Sequence, residues 1–312
     1  MALSDGHGRL IRCCLRTLLR GARRIRQSKA PFLFLQERPR REAYSHLWEL
    51  QPGSHDAKVL DKLLPPYLRH ELSTCELTGQ ELERIVKGSF RRFQHLGTPN
   101  TEAPSDAATT SGAPGSAKGG AGKGSGPGGR RRGGNNNGGE KAPPPMMTPT
   151  LDQAVDDLLG LVRLLGEQIR LFECTSVTET HKVRVIATAI PATVAMQAGG
   201  GVPGQQEAHF FMYQIRVENR HPRATVQLVG REWVIQDADG QISDSVLKGS
   251  IGVVGHEPIL RPSSAVAYIS GARLPTPYGS MRGSFQMVRR SGGGGKEVPE
   301  KFDAMVDPFL LK

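Results

Sequence analysis

Residues 209–240, HFFMYQIRVENRHPRATVQLVGREWVIQDADG, decide the fold. From Phe211, every second residue through Tyr213, Ile215 and Val217 is apolar, with Gln214, Arg216 and Glu218 on the alternate positions. That period of two reads as a strand with one buried face. In the next run Val226 and Leu228 share a face before Gly230, and Trp233 and Ile235 keep the period after it. A glycine inside a strand marks a bulge or a close backbone approach. Asp237-Ala238-Asp239-Gly240 then supplies a turn, because Asp and Gly tolerate positive φ. Further out, Val266, Tyr268 and Ser270 alternate with Ala265, Ala267 and Ile269, and Pro275 to Gly279 punctuates the chain before Phe285 and Met287. Short apolar strands joined by turn residues predict an all-β C-terminal domain with a sandwich architecture.

Three segments in this order, IRVENRHPRATVQLVGREWVIQDADG, GVVGHEPIL and SGARLPTPYGSMRGSFQMV, resemble the ApaG domain family. The likeness reaches back to Lys182–Ile186 and forward to the terminal VDPFLL, so the domain is expected over 180–312. The resemblance implies a fibronectin-type-III-like (immunoglobulin-like) β-sandwich. Such domains stand alone in bacteria and join other modules in eukaryotic proteins, such as an F-box substrate receptor and a DNA-polymerase-interacting protein. It implies no established catalytic activity.

At 312 residues the length suggests about two domains. No run approaches the ~20 apolar residues needed to span a bilayer. The net charge of +11 is uneven: residues 1–100 carry 18 Lys+Arg against 10 Asp+Glu, residues 101–150 carry 6 against 3, and residues 151–312 balance at 17 against 17. Attraction to nucleic acid or an anionic surface therefore belongs to the N-terminal half alone. The four cysteines show no CxxC spacing and suggest a reducing compartment. The nine histidines include no HExxH and no pair at helical spacing, so neither a metal site nor a cofactor is expected.

Residues 9–29, RLIRCCLRTLLRGARRIRQSK, hold eight basic and no acidic residues. Ile11, Leu15, Leu18, Ala22 and Ile25 line one helical face, and Arg9, Arg12, Arg16 and Arg23 another. Such a basic amphipathic segment over 1–30 has the character of a transit peptide, which points to a mitochondrion or, alternatively, a plastid. LIRxxLRxxLR also resembles the opening helix of the mitochondrial LYR-motif family, with Leu10-Ile11-Arg12 in the motif position. That second resemblance implies an assembly factor that binds acyl carrier protein. Residues 31–96 read as a helical region: Pro65-Pro66 stops one helix, Thr78-Gly79-Gln80-Glu81 has capping-box spacing, and Leu82, Ile85, Val86, Phe90 and Phe93 form an apolar stripe. Residues 97–149 are Gly, Ser, Pro and Asn rich and predict a disordered linker that leaves the two halves mechanically uncoupled. Arg130-Arg131-Arg132 amid glycines reads either as solvated linker or as an RNA contact. Over 150–173, Leu151, Val155, Leu158, Val162, Leu165, Ile169 and Phe172 recur at spacings of four and three, a heptad seam suited to packing on another helix.

Gly249, Gly252 and Gly255 form the one stretch with a ligand-like pattern. Glycines let backbone amides approach phosphate oxygens, yet the surroundings lack the strand-to-helix context of a phosphate fingerprint. A tight turn and a nucleotide or pyrophosphate site both remain open at this stretch. No catalytic triad, paired-carboxylate motif or cysteine nucleophile signature occurs, so the chain is read as non-enzymatic. The primary expectation is an interaction or adaptor protein with protein partners, part of a large organellar complex, in which the sandwich recruits peptide by edge-strand addition.

Overall fold

The computed structural model describes residues 5–28, 32–37, 47–50, 54–64, 66–69, 72, 74–94, 151–190, 209–290 and 299–312. The expected linker at 97–149, including Arg130–Arg132, lies outside the described residues. In chain order the elements are α1 (Asp5–Gln27), β1 (Phe32–Phe34), β2 (Leu47–Leu50), α2 (Ser54–Leu63), α3 (Pro66–Arg69), β3 (Glu76–Thr78), α4 (Gly79–Gln94) and α5 (Leu151–Glu173). There follow β4 (Thr175–Thr180), β5 (Val183–Ile190), β6 (His209–Asn219), β7 (Thr225–Asp237), β8 (Ile242–Ile251), β9 (Ile259–Leu260), β10 (Ala265–Leu274), β11 (Gly279–Arg290) and β12 (Glu300–Leu311).

The C-terminal part is a sandwich of two antiparallel sheets. One runs β2-β10-β6-β5-β4, and the other β12-β11-β7-β8 with β9 also paired to β7. The period-two pattern of β6 emerges directly: Phe211, Tyr213, Ile215 and Val217 are all buried in the core between the sheets. Trp233 meets Phe285 edge-on with ring centroids 5.3 Å apart, and Tyr268 approaches the same ring from another side. Around Gly230 the β7–β11 register slips by one residue, which is the bulge that a mid-strand glycine signals. The β7–β8 turn closes on Asp237, whose Oδ1 accepts the amides of Asp239 (3.0 Å) and Gln241 (2.9 Å).

A second apolar core joins α1, β1, α2, α3, α4 and α5. Leu18, Ala22 and Ile25 of α1 pack there with Leu82, Ile85, Val86 and Phe90 of α4 and Leu158, Leu161 and Leu165 of α5. The capping box at the head of α4 closes: Thr78 Oγ1 accepts the Glu81 amide (3.2 Å), and Glu81 Oε2 accepts the Thr78 amide (2.8 Å). Gly79 is required here because a Cβ would lie 2.6 Å from the Arg26 backbone nitrogen. Among the described residues of 31–96 most are helical, but three short strands also occur that helical periodicity did not reveal. β1 pairs with β3, and β2 pairs with β10 at Ala265–Tyr268, adding a strand to the sandwich.

The two halves are not uncoupled, contrary to the expectation from the linker's composition. The helical unit covers the outer face of the first sheet, so the outward residues of β5 are buried as well as the inward ones. Arg184 lies at this junction, with Nε donating to Glu218 Oε2 (2.6 Å) and its guanidinium also bound by Glu76 of β3. Burial works against the charge on Arg184, but its hydrogen bonds to Glu76 and Glu218 outweigh burial and raise its pKa. Gln168 of α5 pairs with the backbone of Gln36 in both directions. Glu173, at the end of α5, receives Arg24 of α1 (3.0 Å) and the terminal Lys312 (2.9 Å). A linker's freedom does not determine docking when both ends carry complementary surfaces.

Candidate functional site

The stretch from Gly249 to Gly255 is built by turn chemistry. Val253 and His256 exchange both backbone hydrogen bonds at 2.8 Å, with Val254 (φ 42°) and Gly255 (φ 81°) between them. Two consecutive positive φ values make a type I′ hairpin turn, which requires glycine or a strained residue. Gly252 (φ 53°) has its own reason, since a Cβ there would lie 2.1 Å from the His256 carbonyl oxygen. The amide of Gly252 donates to Val229 O (3.1 Å) and that of Gly249 to Gln286 Oε1 (3.2 Å). Arg231 donates to the carbonyls of Ile251 (2.8 Å) and Gly252. Gly249 thus lies near the end of β8 and Gly252 and Gly255 in the turn that follows, and the amides of Gly249 and Gly252, which a phosphate would need, are already engaged.

Beside this turn runs a margin of the second sheet that no other described element covers. Among the described residues β8 pairs only with β7, and its register breaks twice, at Arg231/Trp233 and at Ile235/Gln236. Ile242, Leu247 and Ile251 of β8 and Ile259 of β9 are 65%, 79%, 76% and 59% exposed. Ile242, Ile251 and Ile259 stand opposite Gln236, Gly230 and Gln227 of β7, so they follow one strand's edge. Among the described residues nine large hydrophobics are exposed, and seven of them lie from β8 to the C terminus. The apolar surface left free is therefore concentrated on the second sheet.

The sequence from residue 203 to residue 289 matches the ApaG domain family. A protein named ApaG from Anaeromyxobacter dehalogenans is 39% identical over 137 residues, which are 44% of this chain and 93% of that protein. One from Thiobacillus denitrificans is 44% identical over 105 residues, 34% of this chain and 74% of the relative. This chain belongs to the ApaG family. A crystal structure described as an ApaA protein from Bordetella pertussis is 30% identical, covering 43% of this chain and 95% of that one, with a TM-score of 0.34.

The ApaG match spans β6 to β11 and leaves the helical unit outside it. Leu10, Ile11 and Arg12 sit on α1 but do not form one surface: Leu10 and Arg12 are exposed, whereas Ile11 packs against the helical core. Reactive chemistry is sparse among the described residues. The Cys174 thiol is pushed up to about 11, chiefly by burial, which favours the un-nucleophilic thiol form. His221 Nδ1 accepts the Ala224 amide (2.9 Å) and holds a turn; burial, with Lys182 and Arg289, lowers its pKa. No group of three or more His, Cys, Asp or Glu among the described residues could hold a metal. No described helix is long and apolar enough to cross a membrane.

Sequence reasoning missed the β8–β9 margin. Its signal was present, because Ile242, Leu247 and Ile251 break the alternation seen in β6, but a broken alternation does not say which side of a strand is uncovered.

Proposed function

We propose that this ApaG chain is a non-catalytic adaptor whose sandwich holds a protein partner along the β8–β9 margin, within a mitochondrial or plastid assembly. The observation that carries the reading is the uneven distribution of cover. The helical unit occupies one outer face, β2 takes part of the β10 edge, and the exposed aliphatics gather where neither reaches. The occupant that suits this margin is an extended apolar segment with basic flanks. The β8 edge offers backbone groups for strand addition, and Ile242, Leu247 and Ile251 offer apolar contacts. Asp239, Asp244 and Glu257 are exposed around them, while Lys248 is engaged by Asp303. The sandwich already accepts a strand in this manner from β2.

The organellar setting rests on the acid-free basic character of residues 9–29. In this reading α1 stays with the folded protein, because its loss would remove Leu18, Ala22 and Ile25 from the helical core. The test is native sedimentation of the tagged protein from its own cells, beside a Leu247→Asp/Ile251→Asp variant. Comigration of the wild type with a larger particle and release of the variant to monomer size is the expected result. A monomeric wild type, or a variant that still comigrates, refutes the adaptor reading.

A further inference from the structure

We propose that the exposed arginine face of α1, together with arginines lining the α1–α5 cleft, binds the phosphate backbone of a nucleic acid. At about 100° per residue, Arg9, Arg12, Arg16 and Arg20 fall within a sector of roughly 80°, and they span about 16 Å of helix axis. All four are exposed, and none has an ion-pair partner among the described residues. Together with Cys13 and Thr17 they line a shallow groove of about 310 Å³. It is continuous at Arg20 with a cleft of about 730 Å³ between α1 and α5, where Arg24, Arg163 and Arg170 add charge. Glu167 and Glu173 also line that cleft, with Arg163 3.7 Å from Glu167 and Arg24 bound to Glu173. The charge without an ion-pair partner among the described residues therefore lies on the α1 row and at Arg170.

Three features select the partner. The row is made only of arginine, whose planar fork engages phosphate oxygens two at a time. A helix that lies on a membrane needs a free apolar face, but the face of α1 opposite the arginines is already used: Leu18, Ala22 and Ile25 are buried, and Ile11, Leu15 and Leu19 pack beside them. A protein interface would be anchored by aromatic or aliphatic residues at its centre, and the row offers only Leu10 at its edge. A regularly spaced polyanion needs neither. With no aromatic platform in the groove, contact is to the backbone, independent of base sequence and strongly dependent on salt. The inference stands apart from the adaptor reading, since it uses the opposite part of the molecule.

The experiment is fluorescence anisotropy of the full chain with single-stranded and duplex RNA and DNA across a salt series of about 50–200 mM. Expected are binding that weakens with a log–log slope of about −3 to −4, as for four phosphate contacts, and a loss of about one unit of slope per arginine removed. R9Q/R12Q/R16Q/R20Q should lose at least about 100-fold in affinity at the lowest salt. R12Q/R16Q, which leaves more of the helix intact, should lose about two units of slope. R223Q/R273Q/R282Q/K301Q removes the same charge from exposed sandwich positions and should stay close to wild type. Comparison of the RNA and DNA arms fixes which nucleic acid is preferred. The proposal is overturned if no nucleic acid binds at the lowest salt, or if the sandwich variant weakens as much as the helix variant. It is equally overturned if polyglutamate or phosphatidylserine vesicles bind as tightly as RNA and DNA, which would assign the row to an acidic protein or a membrane.

Discussion

Thr78 and Glu81 show how far a four-residue spacing reaches. The Glu81 carboxylate is held below its ordinary pKa, first by the backbone amide of Thr78 and then by its hydroxyl. A depressed carboxylate pKa means the unfolded chain binds the proton more readily. The contribution is therefore complete above the ordinary glutamate range and is lost as pH falls through the folded value. Urea unfolding followed between neutral and acidic pH should show that Glu81→Gln flattens the acid-side slope. Thr78→Ala should lose about 1 kcal/mol at pH 7. This contact was legible because both partners lie within one turn. Arg184 was not, since its acceptors Glu76 and Glu218 are 108 and 34 residues away. No local pattern records such a pairing.

Among the elements, β5, β6 and β10 explain why a strand pattern can mislead about burial. Gln214, Arg216 and Glu218 marked the second face of β6 as polar, which ordinarily means solvent. In the folded chain Glu218 is only 8% exposed, and its neighbour Arg184 is 9% exposed, because the helical unit closes over this face. The polar residues persist there as an ion-pair network. Removing Arg184 leaves Glu218 with Arg216 as its only ion-pair partner among the described residues and Glu76 with none, at a cost of up to about 3–5 kcal/mol. Arg184→Ala should therefore lower stability by about that much. Arg184→Met combined with Glu76→Gln, which leaves Glu218 its partner Arg216 (2.7 Å), should recover most of it, as measured by denaturant midpoints. If Arg184→Ala proves neutral, the junction does not depend on this network. β2 belongs to the same lesson: four residues are too few for periodicity to distinguish, and only the open edge of β10 makes them a strand.

On the scale of the whole molecule, α5 determines the arrangement. Its heptad seam predicted helix packing without naming the partner; the folded chain supplies α1 and β1, burying Leu158 and Leu165 of the seam together with Leu161 outside it, while Val162, Ile169 and Phe172 are half-buried. Because α5 runs directly into β4, the segment after the expected linker completes the unit that precedes it. A protease site inserted between residues 110 and 140 tests this. After cleavage the two fragments should still co-elute on size exclusion, whereas Leu161→Asp/Leu165→Asp should allow them to separate. Separation of the cut wild-type fragments would mean that the halves associate only through the chain.

The sequence alone determined the sandwich, its family, a backbone irregularity at Gly230, the turn at Asp237–Gly240 and the basic asymmetry of the N-terminal half. Each of these is written in neighbouring residues or in ordered segments, where alternation, φ preference and charge act locally. That Gly230 marks a bulge and that a tight turn lies within Gly249–Gly255 came from the folded chain. The tertiary structure alone decided that the halves dock, that β2 joins the sandwich and that Arg184 bridges two acids. It also decided which apolar and basic faces stay uncovered. Those outcomes depend on which surfaces meet after the chain has folded, and a one-dimensional pattern shows that a face is apolar or charged without showing what lies against it.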